Sequence, residues 1–383
     1  MATIRVAACH AAPSFLSARR TTDKAIKLIN EAAGNDANLV VFPESFIPAF
    51  PFWSAIRAPA ENHDLFRRMV DESVHVDGEH IQAIQHEARQ RKVMVSLGIS
   101  EKARHSSATL YNSNLIIGSD GKIAVHHRKL VATFFEKLTW APGDGHGLRV
   151  AETPFGKIGA LICGENTNPL ARYALMAQGE QLHISTWPAV WPTRLLREDA
   201  GEGKDVTGKN YDNVAANRTR AAAHCFEAKC FGVLCSGHID EEAIETIIKG
   251  AESPGIVQST LKRSARGATM YLDPTGGLLP GFTINSMTGE KEQKPHLQNE
   301  EGTLYCDMNL LDGIEGKQYH DVVGGYQRLD VFQVNVDRRR REPATFLDNT
   351  RIETHNRRDS DRGGIEGQDE RAAGNEKKGR TSR

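Results

Sequence analysis

The chain lacks the features that would direct a protein to a membrane, to nucleic acid or to an oxidising compartment. No apolar run approaches the ~18 residues a bilayer span needs. Across 383 residues the formal net charge is −1, which removes the electrostatic case for nucleic acid or an anionic membrane as partner. The opening Met-Ala-Thr-Ile-Arg-Val-Ala-Ala has neither the basic flank nor the apolar stretch of a secretory leader, so the expected compartment is the cytoplasm. The six cysteines contain no CxxC pair, and a chain this long needs no disulfide staples. Cys225, Cys230 and Cys235 step by five, which matches no common zinc spacing; they read as thiols on a helix and the strand after it. There is no internal repeat.

What is present is alternation of short apolar runs with helical patterns. Strands are expected at Ile4–Cys9, Leu39–Phe42, Val93–Ile99, Leu110–Ile117, Lys122–Val125, Lys157–Ile162, Leu182–Ser185, Phe231–Ser236 and Thr269–Leu272. Helices are expected at Ser17–Ala33, Glu79–Lys92, Pro169–Gln178 and Tyr211–Lys229. In the first helix Ala25, Leu28, Ile29 and Ala32 form a core-facing stripe. Ser119-Asp120-Gly121 marks a hairpin. Mixed βα alternation plus a hairpin predicts an α/β layered sandwich with mixed sheets. Arg197–Gly208, polar and glycine-containing, reads as a surface loop. Residues 1–336 form the expected folded domain. Residues 337–383, opened by the run Arg338–Arg341, are too charged to bury a core and are expected to be disordered or docked on a partner subunit.

Three segments place a reactive group just past a strand. The apolar run Gly159–Ile162 stops at Cys163, followed by Gly164-Glu165-Asn166. A thiol on a strand end is commonly inert packing, but it is also where a nucleophile is both held and reachable. Glu44 follows Leu39–Pro43 and precedes Phe46, Phe50, Phe52 and Trp53; apolar neighbours would raise its pKa toward that of a working base. Lys129 follows His126-His127-Arg128, with Glu136 seven residues on. Either segment alone also fits solvated charge. Together they offer a nucleophile, a base and an electrostatic stabiliser.

Phe42-Pro43-Glu44, His127-Arg128-Lys129-Leu130 and Cys163-Gly164-Glu165-Asn166 resemble the three catalytic blocks of the carbon–nitrogen hydrolase superfamily. Glu136–Gly145 and Cys163–Pro188 resemble its nitrilase branch, and the likeness runs over residues 4–325. The resemblance implies a four-layer αββα sandwich. It implies Cys163 as nucleophile, Glu44 as general base, Lys129 as stabiliser of the tetrahedral intermediate, and Glu136 as a second carboxylate. The Gly164 N–H would join Lys129 in the oxyanion hole. Trp53, Thr133, Phe134 and Trp187 would line an apolar substrate pocket suited to aromatic, arylacetonitrile or medium aliphatic nitriles. No metal or organic cofactor is implied; water is the co-substrate. A homodimer extending to spiral oligomers is implied as well. Three positions depart from the usual pattern. Gly164 stands where nitrilases often carry Trp, which would widen the pocket floor. Ala132 replaces a frequent Pro, and Cys9-His10 a frequent Val-Gln.

The alternatives within the superfamily are an amidase and a cyanide-converting enzyme. Cys163–Pro188 argues against the first and Gly164 against the second. A papain-like or glutaminase-type Cys–His hydrolase needs a paired histidine, and none of the fifteen sits in a matching context. A non-catalytic scaffold is disfavoured by three intact catalytic positions.

Overall fold

The apolar runs build two sheets whose inner faces meet. The computed structural model describes residues 3–196 and 212–344, with the backbone of 347–348 and 351–352. Strands β1 (Ile4–His10), β2 (Leu39–Val41), β3 (Met94–Lys102), β4 (Leu110–Ile117) and β5 (Ile123–Arg128) belong to the first sheet. Strands β6 (Ala151–Thr153), β7 (Gly156–Ile162), β8 (Leu182–Trp187), β9 (Phe231–Ser236), β10 (Met270–Leu272) and β11 (Leu278–Leu279) form the second. β12 (Gly281–Ile284), β13 (Lys291–Lys294) and β14 (Gly302–Met308) return to the first, in the order β13-β12-β14-β1-β2-β3-β4-β5.

Strand alternation decides the layering. On the inward faces, Val6, Ala8, Leu39, Val41 and Ile116 meet Ile158, Ile184, Val233 and Tyr271 of the opposite sheet. The outer face of the first sheet packs Ala7, Val40 and Val95 against Ala25 and Ile29 of helix Ala18–Gly34 and Ile81 and Ile84 of helix Glu79–Arg91. Leu28 lies at the edge of that stripe, only partly buried. The outer face of the second sheet is covered by helices Pro169–Met176 and Asn213–Ala228. This is the four-layer αββα sandwich.

The topology sets strand ends side by side. β1, β2 and β3 are parallel, and the two antiparallel reversals β3–β4 and β4–β5 restore the direction of β2 to β5. The residues after β2 and β5 therefore emerge at one edge. β7 and β8 run parallel in the second sheet, and β7 ends in Cys163.

The structure departs from expectation in several places. β5 continues through His126, His127 and Arg128, because Glu101 and Glu165 pair with these polar side chains. Helices His63–Glu72, Glu241–Ile248 and Pro254–Arg263, and strands β12 to β14, carry no strong sequence signal. β14 nevertheless pairs antiparallel with all of β1. The first compact unit reaches Arg341, beyond the expected boundary at 336. Arg340 binds Asp144 at 3.1 Å, and His146 contacts the Arg338 carbonyl at 3.2 Å. A second unit starts at Glu342 and includes a short antiparallel pair, Leu347–Asp348 with Arg351–Ile352. The loop expected at Arg197–Gly208 lies outside the described residues.

Candidate active site

Glu44 leaves β2 through Pro43, and its approach depends on one glycine. A Cβ on Gly98 of β3 would lie 2.2 Å from the Pro43 carbonyl oxygen and 2.6 Å from Ser45 N. Only a bare backbone lets the segment lie there. Ser45, at φ +48°, then turns the chain away. The Glu44 carboxylate is buried; Asn112 Nδ2 of β4 (2.7 Å) and Lys129 Nζ (2.9 Å) both donate to its Oε1. Its Oε2 is buried with no hydrogen-bond partner among the described residues.

Lys129 is fixed along its whole length. Its N–H donates to the Asn112 carbonyl (2.7 Å), and its carbonyl accepts from Gly143 N (2.8 Å). The ammonium donates to Glu136 Oε1 and Oε2 at 2.8 and 2.7 Å, besides Glu44. Burial alone would lower the lysine's pKa, but Glu136 and Glu44 more than reverse that and hold it well above its ordinary value. Glu136 caps its own turn, accepting from Thr133 N at 2.8 Å. Burial pushes Glu136 up to about 7, against the pull of Lys129 and with the repulsion of Glu44. The ammonium sits where a bound cation would otherwise balance these carboxylates.

Cys163 occupies the left-handed region at φ +49°, the sharp turn that ends β7. Its sulfur and carboxylate oxygens of Glu44 and Glu136 all lie within 4.8 Å of one another. Burial, then the Glu44 carboxylate, push the thiol well above its ordinary value, with Lys129 opposing. The resting sulfur is therefore protonated. The unpartnered Glu44 Oε2 is the acceptor of the right kind for its proton.

The pocket residues separate. Trp187 is buried in the same cluster as Cys163. Trp53 is buried in another, aromatic, cluster with Phe15, Phe50, Phe52, Phe135, Trp140 and Trp191. Phe134 corrects an expectation: at φ +48° its ring is turned outward and 70% exposed. Phe135 takes the inward place, stacked on Trp191 with centroids 4.3 Å apart. Gly164 corrects another. The space a side chain would fill is occupied by Thr133, whose Oγ1 would lie 2.6 Å from an added Cβ, so the glycine does not widen the floor. A cleft of about 450 Å³ lined by Phe66, Leu110, Val131, Leu138, Trp140 and Pro142 touches none of Glu44, Lys129, Glu136 or Cys163. It is not the reaction chamber.

Sequence reasoning missed Glu165 and Asn112. Glu165 Oε1 accepts from Leu130 N (2.6 Å), and its Oε2 from Ile162 N and His127 Nε2 (both 2.9 Å). One carboxylate thus ties the residue after Lys129 to the residue before Cys163. The signal was its place two residues past Cys163 in a turn that buries it. Asn112 lies in an ordinary strand alternation, and only the fold reveals it.

A family model described as carbon-nitrogen hydrolase matches residues 5–288. An arylacetonitrilase of Hypocrea virens is 31% identical over 87% of this chain and 91% of its own length. A nitrilase of Paraburkholderia phymatum is 31% identical over 88% of this chain and 87% of its own. An aliphatic nitrilase of Rhodococcus rhodochrous is 30% identical over 92% and 88%. Among solved structures, a carbon-nitrogen hydrolase from Helicobacter pylori superposes with TM-score 0.59 at 20% identity, covering 82% of this chain and 92% of its own. A nitrilase-superfamily member of Saccharomyces cerevisiae superposes with TM-score 0.58 at 18% identity, covering 86% and 97%. Fold, ordered motifs and relatives agree: the chain belongs to the carbon–nitrogen hydrolase family, in its nitrilase branch.

Proposed function

We propose that this protein hydrolyses organic nitriles to the carboxylic acid and ammonia, with Cys163 as nucleophile. The observation that carries the reading is the buried thiol beside Glu44, whose second oxygen is unpartnered. Glu44 Oε2 takes the thiol proton and the sulfur bonds to the nitrile carbon; Glu44 passes that proton to the nitrile nitrogen, which gives a thioimidate and frees the carboxylate again. Water adds, losing its proton to Glu44. Lys129 Nζ and the Gly164 N–H hold the tetrahedral intermediate; its nitrogen takes the water proton from Glu44 and then the hydroxyl proton as the C–N bond breaks, so ammonia leaves and an acyl thioester remains. A second water, activated the same way, releases the acid and restores the thiol. Two waters are consumed per nitrile. Glu136 holds Lys129 aimed throughout. The aromatic cluster and Trp187 suit aromatic, arylacetonitrile or medium aliphatic nitriles.

Ammonia release will be measured with phenylacetonitrile, benzonitrile, an aliphatic dinitrile and the matching amides, beside Cys163→Ala. Ammonia from nitriles, lost in the variant, is expected. Ammonia from amides alone would move the assignment to an amidase, and a fully active Cys163→Ala would remove the nucleophile.

The reading extends to assembly. Tyr319, Tyr326, Leu329, Val331 and Phe332 are each more than half exposed in one chain, an apolar strip suited to burial between copies in a dimer and larger spirals. Light scattering tests this, and a monomer at all concentrations would refute it. No helix among the described residues is long and apolar enough to cross a membrane. All six cysteines are buried and free, which suits the reducing cytoplasm.

A further inference from the structure

The stretch Cys163–Pro188 contains polar groups the reaction does not use. Two of them, Glu180 and His183, are fully buried together with His224 of helix Asn213–Ala228, on the side of the second sheet away from the catalytic carboxylates' own sheet. Glu180 Oε1 lies 2.8 Å from His183 Nδ1, and its Oε2 lies 2.6 Å from His224 Nε2. The two imidazoles stack with centroids 3.6 Å apart. Room for the carboxylate depends on Gly159 of β7, where a Cβ would stand 2.1 Å from Glu180 Oε1.

The chain of contacts ends on the nucleophile. His183 Nε2 is 2.8 Å from Asn166 Oδ1. Asn166 Nδ2 donates to the Cys163 carbonyl (3.0 Å) and leans on that of Leu161 (3.4 Å). Carbonyls only accept, so the Asn166 amide can face only one way, with its oxygen toward His183. His183 Nε2 must then carry a proton. Its Nδ1 faces the Glu180 carboxylate, which the two histidines hold ionised against the cost of burial, at about 2. His183 thus bridges the Glu180 carboxylate and the Asn166 amide. His224 holds the other carboxylate oxygen, and its Nδ1 has no nitrogen or oxygen partner among the described residues.

Cys163 needs this support, because a non-glycine residue with positive φ is held only by its surroundings. We infer that Glu180, His183 and Asn166 are positioning residues that act as one relay, fixing the Cys163 backbone through its carbonyl so that the sulfur stays aimed at Glu44. The inference rests on Cys163 being the nucleophile. It also gives the branch-typical stretch a purpose the catalytic trio leaves unexplained.

The test is nitrile hydrolysis by full-length Asn166→Leu, Asn166→Asp and His183→Phe, per folded protein measured by near-ultraviolet circular dichroism. The titratable groups facing residue 166 and its partner are His183, Glu180, His224 and, behind it, the Cys230 thiol. Asn166→Leu is expected to lower kcat about tenfold or more with KM within about twofold, because only aim is lost. Asn166→Asp presents a carboxylate to two carbonyls at neutral pH and should be as poor. In acid its protonated form can donate to the Cys163 carbonyl, so its activity should recover relative to Asn166→Leu. His183→Phe keeps the ring stack and the amide, and supplies a well-packed variant with reduced kcat. Wild-type kcat in folded Asn166→Leu or His183→Phe would overturn the relay, as would identical pH profiles for the two Asn166 variants. Activity surviving in Cys163→Ala would instead overturn the nucleophile on which it rests.

Discussion

Lys129→Met is expected to reduce kcat/KM by at least about 100- to 1,000-fold, the range for losing one oxyanion donor. Methionine nearly matches the lysine stem, so packing is largely kept and the charge is removed. The loss reaches further than one donor. Without the ammonium, Glu44 and Glu136 become two buried carboxylates with no cation between them. Like charges at that distance cannot both ionise in an apolar site, so one takes up a proton. Burial already pushes Glu136 up to about 7 with the lysine present. Removing Lys129 leaves Glu136 without the charge that opposes its upward shift, and a proton held between the two carboxyls would block the proposed step in which the thiol proton is taken up. The residual activity should therefore rise with pH over a range where the wild type is already active. Breaking a buried pair also costs about 3–5 kcal/mol of stability. Steady-state kinetics across pH and urea unfolding check both parts. A loss of only a few-fold would show that Lys129 is a structural counter-ion and not part of the oxyanion site.

Glu165→Leu is expected to cost about as much stability and most of the activity, although Glu165 touches no reacting group. Its removal leaves the N–H groups of Leu130 and Ile162 and the His127 ring without their acceptor. A buried polar group deprived of its partner costs about 1–3 kcal/mol, so three together approach 3–5 kcal/mol or more. The two loops it joins carry Lys129 and Cys163, and a shift of about 1 Å between them can cost about 100-fold in rate. The pH dependence gives a sharper signature. Burial would raise the Glu165 carboxyl, but His127 and the two backbone donors outweigh it and hold the group below its ordinary value. A depressed carboxylate contributes stability that is fully present above the unfolded pKa near 4.5 and is lost as pH falls through the folded one. Wild-type stability should thus decline below that pH, and Glu165→Gln should show a shallower decline. Equal acid slopes for the two proteins would refute the clamp.

Much of the fold was legible from periodicity. Strands with a clean apolar face, such as Leu110–Ile117 and Phe231–Ser236, lie at the expected residues. The helix at Glu79 begins where its sequence implies. β14 was not legible, because its partner β1 is nearly three hundred residues away in sequence and Thr303, Tyr305 and Asp307 make a weak run. The polar end of β5 was hidden for a different reason: His126, His127 and Arg128 are strand residues only because distant carboxylates neutralise them.

The same division holds at the site. Sequence by itself determined the chemical inventory: a cysteine, two glutamates and a lysine, each at the close of an apolar run or in the aromatic segment after it. It determined the branch as well, since those blocks occur in order with an extended companion stretch. It was poor on direction. Adjacent Phe134 and Phe135 are alike as letters, yet a positive φ sends one to solvent and the other to the aromatic cluster. Gly164 read as open space, and Thr133 from another loop occupies it. Which carboxylate oxygen is left open, which way the Asn166 amide faces and which histidine bridges it to Glu180 were decided only by tertiary structure. The physical reason is that residue type fixes what a group can donate or accept, whereas burial and three-dimensional neighbours fix whether it must.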